Sequence, residues 1–132
     1  MLNYLTFALL FAFAWITSFL LHELMHIKGQ GITMSGYIKI IRFSMMALPE
    51  NNTNTKWFYY SGGLLSALIF YLFTLLIYPH TIPEVYLPFL FMAIIQTAAG
   101  LMEGYNYMFY SHHRFKVYAV MLAGMVVIWS VI

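Results

Sequence analysis

Two histidines and a glutamate near the start of the chain have the types and spacing of a metal-dependent hydrolase. His22 and His26 are four positions apart, and Glu23 follows the first of them in the sequence His-Glu-Leu-Met-His. Residues four apart lie on one face of an α-helix, so both imidazoles can bind one tetrahedral ion. Glu23 lies beside them and can accept a proton from a water on that ion. The motif therefore predicts a zinc site with Glu23 as its general base.

The chemistry expected of such a site is hydrolysis of a carbonyl compound. Zinc lowers the pKa of a bound water to about 7, so a neighbouring carboxylate can generate hydroxide at neutral pH. The metal also polarises the carbonyl that is attacked. The alternative for Glu23 and its two histidines is a polar cluster at a helix end, solvated by lipid headgroups and water.

A third protein ligand must come from elsewhere, because a catalytic zinc generally has three protein ligands plus water. Glu103 closes a hydrophobic segment and is followed by a glycine, which would let another segment approach closely. His112 and His113 are alternatives on the same predicted side of the membrane. The chain has no cysteine, so His and carboxylate side chains must hold any metal. We therefore predict one Zn²⁺ per chain, bound by His22, His26 and Glu103.

The composition indicates a membrane protein. Of the 132 residues, 63% are hydrophobic and only 8% are charged, and the mean hydropathy is +0.80. An ordinary soluble domain is roughly one-quarter charged. The net charge of +2 comes from so few ions that it gives no indication of a nucleic-acid partner. We expect residues 1–132 to form a single domain whose solvent is the lipid bilayer.

The elements that position these residues are predicted to be membrane helices. The first apolar segment runs without Pro or Gly into the His-Glu-Leu-Met-His sequence, and glycines then stop it. The sequence of Ile32–Phe43 is rich in β-forming residues around a turn signal at Ser35-Gly36, which predicts a short hairpin. The fold class is therefore an all-α membrane protein of about four transmembrane helices with a membrane-associated β-hairpin after the first. The predicted spans are Asn3–Leu21, Trp57–Ile77, Tyr86–Met102 and Val117–Ile132.

The cations predict the orientation of these spans, because cytoplasmic loops carry an excess of Lys and Arg. All six cations fall on one side of the four-span arrangement: Lys28, Lys39, Arg42, Lys56, Arg114 and Lys116. That side is predicted to be cytoplasmic, with both termini on the other. The zinc site is therefore expected near the cytoplasmic face.

Two further motifs follow the first one along the chain. They are Ser-Gly-Gly-Leu-Leu-Ser at Ser61–Ser66 and the Glu-Gly pair that begins at Glu103. Their order resembles the site-2 protease family of intramembrane zinc metalloproteases. In that family a His-Glu-x-x-His helix is followed by a Gly-Pro-x-x-Asn-like motif and then by an Asp-Gly pair that supplies the third zinc ligand. Here Gly63 stands in place of Pro, Ser66 in place of Asn, and Glu103 in place of Asp.

The resemblance implies a function and further site residues. It implies proteolysis of peptide segments embedded in the membrane, with Ser66, Gly62 and Gly63 in substrate binding. Close helix packing is the alternative role for these three small residues. The family's membrane-embedded sheet looks like the predicted hairpin, whose edge could bind an extended substrate; an interfacial linker is the alternative.

Two other functions fit the same residues. One is a catalytically inactive relative that binds a membrane partner, and the other is a membrane protein that binds metal without proteolysis. Gln96 lies seven positions before Glu103, so it could orient a ligand or hydrogen-bond between helices. Asn106 is either a neighbour of the site or a helix terminator.

Overall fold

The computed structural model describes residues 3–29, 36–41, 44–49 and 55–105, together with the single residues 119, 123 and 126. Three long helices and one two-stranded sheet make up these ranges. A short 3-10 turn at Tyr78–His80 joins the second helix to the third. In chain order the elements are α1 (Tyr4–Lys28), β1 (Gly36–Ile41), β2 (Ser44–Pro49), α2 (Thr55–Ile77) and α3 (Pro83–Tyr105).

Helix α1 carries the His-Glu-Leu-Met-His motif in its last turns, as the sequence predicted. It begins after Asn3, whose side-chain oxygen accepts a hydrogen bond from the Thr6 amide at 3.2 Å. It ends at Gly29, whose amide donates to the Met25 carbonyl at 2.8 Å. Its 25 residues give a length of about 37 Å, so the helix is long enough to cross a bilayer.

Three helices, not four, are candidate membrane spans in the part of the chain that the structure describes. They are Tyr4–Lys28, Trp57–His80 and Pro83–Gly104, each long and apolar enough to cross a membrane. The predicted fourth span, Val117–Ile132, lies outside the described residues except at three single positions. Over the described residues the fold is therefore mostly helical with one antiparallel hairpin.

The hairpin is present but lies further along the chain than the sequence predicted. The predicted turn at Ser35-Gly36 is wrong, because Gly36 is the first residue of β1 and pairs with Pro49 of β2. The strands are instead joined at 42–43, which lie outside the described residues. Strand β2 contains Met, Ala and Pro, which are weak strand signals, so its conformation depends on pairing with β1 and on contact with α1.

The helices pack through small residues on their inner faces and expose large apolar residues outward. Helices α2 and α3 cross where Gly63 meets Gly100, and a Cβ added at either glycine would collide with the backbone of the other helix. Small residues at such crossings let transmembrane backbones approach closely. Next to this crossing a buried apolar cluster joins all three helices: Ala14, Phe70, Phe89, Met92 and Ala93.

This crossing gives a stability prediction. Replacing Gly63 by Ala is expected to lower the free energy of unfolding by about 1–3 kcal/mol, because the new methyl group overpacks the contact with Gly100. The measurement is equilibrium unfolding in mixed micelles. Leu75→Ala is the matched control on the same helix, since Leu75 is 70% exposed and is expected to change stability by less than about 0.5 kcal/mol. A Gly63→Ala protein as stable as the control would contradict the packing role.

At the opposite end of the bundle a carboxylate forms a hydrogen bond between α1 and α3. Glu84, in the first turn of α3, accepts a hydrogen bond from the Asn3 amide at 2.9 Å. This contact joins the start of α1 to the start of α3. It lies at the other end of these helices from the His-Glu-Leu-Met-His motif, so Glu84 offers a control carboxylate for experiments on that motif.

Candidate metal centre

The packing of the helices brings the predicted metal ligands to one end of the bundle. Helices α1 and α3 both end where α2 begins, so the last turns of α1 and α3 meet the first turns of α2. Helix α1 faces its neighbours with a stripe of small and polar residues four positions apart, Ala14, Ser18, His22 and His26. The stripe places both histidines in the interior, where they are 6% and 3% exposed.

Three ligand atoms converge at this end. The Nε2 atoms of His22 and His26 are 3.0 Å apart. The Oε2 atom of Glu103 lies 2.9 Å from the first nitrogen and 3.3 Å from the second. Three atoms in this arrangement share a point about 2 Å from each of them, which is the bond length of zinc to His and carboxylate ligands.

Hydrogen bonds on the far side of each ring fix which nitrogen faces the centre. His26 Nδ1 lies 2.5 Å from the Phe58 carbonyl oxygen, and His22 Nδ1 lies 2.6 Å from Gln96 Oε1. A carbonyl oxygen can only accept, so both Nδ1 atoms donate. When the rings are neutral, each presents the lone pair of its Nε2 to the other ring and to Glu103.

This arrangement of acceptors fits a cation. Two imidazole lone pairs and a carboxylate oxygen meet in a buried site, and acceptors of like polarity repel unless something positive lies between them. A proton on His22 can serve its contact with Glu103, but the lone pair of His26 Nε2 then still faces the Glu103 carboxylate. A divalent ion interacts favourably with all three atoms at once. The group of His22, His26 and Glu103 could therefore hold a metal ion.

The ring of His26 is held in place by α2. The phenyl ring of Phe58 stacks on it with the ring centroids 4.8 Å apart and the planes 18° from parallel. On α2 one turn further, Gly62 lies so close that an added Cβ would collide with the imidazole. The two contacts leave the ring little freedom to rotate, so its Nε2 stays directed at the centre.

Glu23 is buried next to the ligands but binds the hairpin. One of its oxygens, Oε2, accepts a hydrogen bond from the Ala47 amide of β2 at 2.6 Å. It also interacts electrostatically with His22, His26 and Glu103. The contact with Ala47 occupies one carboxylate oxygen and holds the side chain beside the centre.

The residues predicted to bind substrate lie in contacts between helices. Gly62 packs against the His26 ring and Gly63 against Gly100. The Ser66 hydroxyl lies 2.7 Å from the Gly62 carbonyl oxygen and 3.2 Å from Gln96 Oε1, and it is buried. These are packing contacts, and a role for the three residues in substrate binding stays a prediction.

Two groups at the centre were not predicted from the sequence. They are the Phe58 carbonyl, which accepts from His26, and the Ala47 amide, which donates to Glu23. Both are backbone atoms, so no residue type marks them. The alternative ligands His112 and His113, and Asn106, lie outside the described residues.

No protein-family model, curated protein or solved structure matches this chain. The fold and the site nevertheless define a class of protein. Over the residues described, it is a helical protein with three helices able to cross a membrane and a buried His-His-Glu group able to bind a metal ion.

Proposed function

We propose that the chain is an intramembrane zinc metalloprotease, similar to the site-2 protease family, that hydrolyses peptide bonds of membrane-embedded substrates. One observation carries the proposal. The Nε2 atoms of His22 and His26 and the Oε2 atom of Glu103 meet within 3.3 Å of one another, with the carboxylate of Glu23 buried beside them.

The donor set favours zinc in a catalytic rather than a closed structural site. Two His and one Glu would supply three protein ligands, which is the number that catalytic zinc sites take from the protein. When bound, zinc supplies Lewis-acid polarisation of the scissile carbonyl and acidifies water. Glu23 takes a proton from the attacking water and later donates it to the leaving amine nitrogen. Its hydrogen bond to Ala47 keeps it in place between these two steps.

The proposed substrate is a peptide segment that reaches the centre from the membrane. A substrate helix keeps its carbonyls in its own hydrogen bonds, so some element must hold it extended before hydrolysis. The hairpin lies against α1 beside Glu23 and offers a sheet edge for this purpose. From the distribution of Lys and Arg, we place the centre near the cytoplasmic face and both termini on the opposite side.

A second candidate function is metal binding without proteolysis. It is favoured by the Ser66 hydroxyl, which is directed at the Gly62 carbonyl of its own helix and at Gln96. A hydroxyl that is satisfied inside the bundle offers no donor to a substrate carbonyl. In this case the same three ligands hold an ion that stabilises the bundle, and the protein binds a membrane partner without cutting it or serves only to bind the metal.

Zinc removal tests the proposal. In proteoliposomes that contain a panel of transmembrane peptides, we expect cleavage that is lost on chelation and restored by Zn²⁺ but not by Mg²⁺, because the donor set contains two imidazoles. His26→Ala protein, purified in parallel, is expected to cleave nothing and so controls for contaminating proteases. His80→Ala is the matched variant, since His80 is exposed in the turn between α2 and α3, and should behave as wild type.

Two results would decide against proteolysis. Cleavage by the His26→Ala preparation at the wild-type rate would assign the activity to a contaminant. Stoichiometric zinc in a wild-type protein that cleaves no peptide of the panel would support the second candidate function.

A further inference from the structure

The side chain of Gln96 contacts the candidate metal centre from outside its ligand set. It lies on α3, two helical turns before Glu103, and it is 7% exposed. Its Oε1 atom lies 2.6 Å from Nδ1 of His22, a residue 74 positions away in the sequence. Buried amides in a membrane helix are costly unless they are hydrogen-bonded, so this side chain needs a partner.

The orientation of the Gln96 amide decides what His22 presents to the centre. With its oxygen toward the ring, Gln96 accepts from Nδ1, and the lone pair of Nε2 points at His26 and Glu103. With its NH₂ group toward the ring, Nδ1 would have to accept, and the proton would move to Nε2. That proton would occupy the position of the metal ion, so only the first orientation permits metal binding.

Ser66 packs against the Gln96 amide from the third helix. Its hydroxyl lies 3.2 Å from the same Oε1 atom, and it also lies 2.7 Å from the carbonyl of Gly62. A hydroxyl has one proton, and the shorter contact assigns it to the Gly62 carbonyl, so the orientation of the Gln96 amide is inferred from its contact with His22. Side chains from α1, α3 and α2 thus form one buried chain, from His22 through Gln96 to Ser66.

We propose that Gln96 is a positioning residue that holds His22 in the Nδ1-protonated tautomer and so prepares its Nε2 to bind the metal ion. The proposal rests on the metal centre and not on proteolysis. Residues that accept a hydrogen bond from a metal-bound histidine fix the tautomer and the orientation of its ring. Their loss typically lowers metal affinity by about 10–100-fold.

The test is zinc affinity, measured on the purified chain by competition with a chromogenic chelator. In Gln96→Leu the side chain cannot accept a hydrogen bond from His22, and we expect zinc binding to weaken by about 10–100-fold. Gln96→Glu restores an acceptor and is expected to bind zinc at least as tightly as wild type, because a carboxylate makes the imidazole a stronger ligand. Thr97→Val is the matched control, since the Thr97 hydroxyl bonds to Ala93 within its own helix, and should leave affinity unchanged.

A second measurement reports directly which nitrogen of His22 binds zinc, and it needs no variant. Nitrogen-15 NMR of histidine-labelled, zinc-loaded wild type should find His22 protonated at Nδ1 and bound to zinc through Nε2. Binding through Nδ1 would overturn the proposal, even if Gln96→Leu failed to fold. Equal loss of affinity in Gln96→Leu and Gln96→Glu would also overturn it, since a packing role alone would then suffice.

The failure of this inference can be distinguished from the failure of the proposed function. If Gln96→Leu binds zinc as wild type does while His22→Ala does not, Gln96 has no positioning role and the metal centre stands. If wild type cleaves no peptide while the Gln96 results come out as expected, the inference stands and proteolysis does not.

Discussion

Replacing Glu23 by Gln is expected to lower the rate of peptide hydrolysis by roughly 10²–10⁴-fold, which is the usual contribution of a general acid or base, while leaving zinc bound. The amide has the shape of the carboxylate and its oxygen can still accept from Ala47, so the contact with β2 is kept. It cannot take a proton from water. The measurement is the cleavage rate in proteoliposomes together with the zinc content of the same preparation.

The control for this variant is Glu84→Gln at the other end of the bundle. That substitution also keeps a hydrogen-bond acceptor, here for the Asn3 amide, and it is expected to change neither the rate nor the zinc content. If Glu23→Gln cleaves as fast as wild type, Glu23 is not the general base. A loss of zinc with the loss of rate would instead assign Glu23 a role in metal binding.

Replacing Glu103 by Ala is expected to reduce zinc affinity by more than the roughly 10–100-fold typical of residues that only support a ligand. The change removes one of the three ligand atoms. Only the Nε2 atoms of His22 and His26, which lie 3.0 Å apart on α1, then remain to bind the ion. His22→Ala is expected to have an effect of similar size. Metal content after dialysis against a weak chelator measures both.

Glu103→Asp separates the carboxylate from the length of its side chain. Because Asp also binds zinc, we expect this variant to retain part of the affinity that Glu103→Ala loses. The double variant His112→Ala, His113→Ala is expected to keep full occupancy. Full zinc in Glu103→Ala together with loss in the double variant would move the third ligand to those histidines.

The parts of the site that lie within one helix could be predicted from the sequence. His22 and His26 share a face of α1 because of their spacing alone, and Glu23 is their immediate neighbour in a helix that nothing interrupts. Glu103 could be singled out because a carboxylate at the end of an apolar segment is costly without a role. The structure brings it within 3.3 Å of both rings.

The contacts that orient these residues could not be predicted, since they depend on how the helices pack. The spacing of seven positions between Gln96 and Glu103 indicated that Gln96 could orient a ligand. The structure shows that the ligand it contacts is His22 on α1. The carbonyl of Phe58 has no signature in the sequence. Strand β2 likewise has little strand propensity of its own, and its position becomes clear only through its pairing with β1.

The separation of the metal ligands along the chain has a consequence for biogenesis. His22 and Glu103 are 81 positions apart, and at 5–20 residues per second the ribosome needs roughly 4–16 s to synthesise the segment between them. During that interval α1 carries its two histidines without the carboxylate that completes the group. Metal binding by all three ligands is therefore a late event, which follows the synthesis of α3.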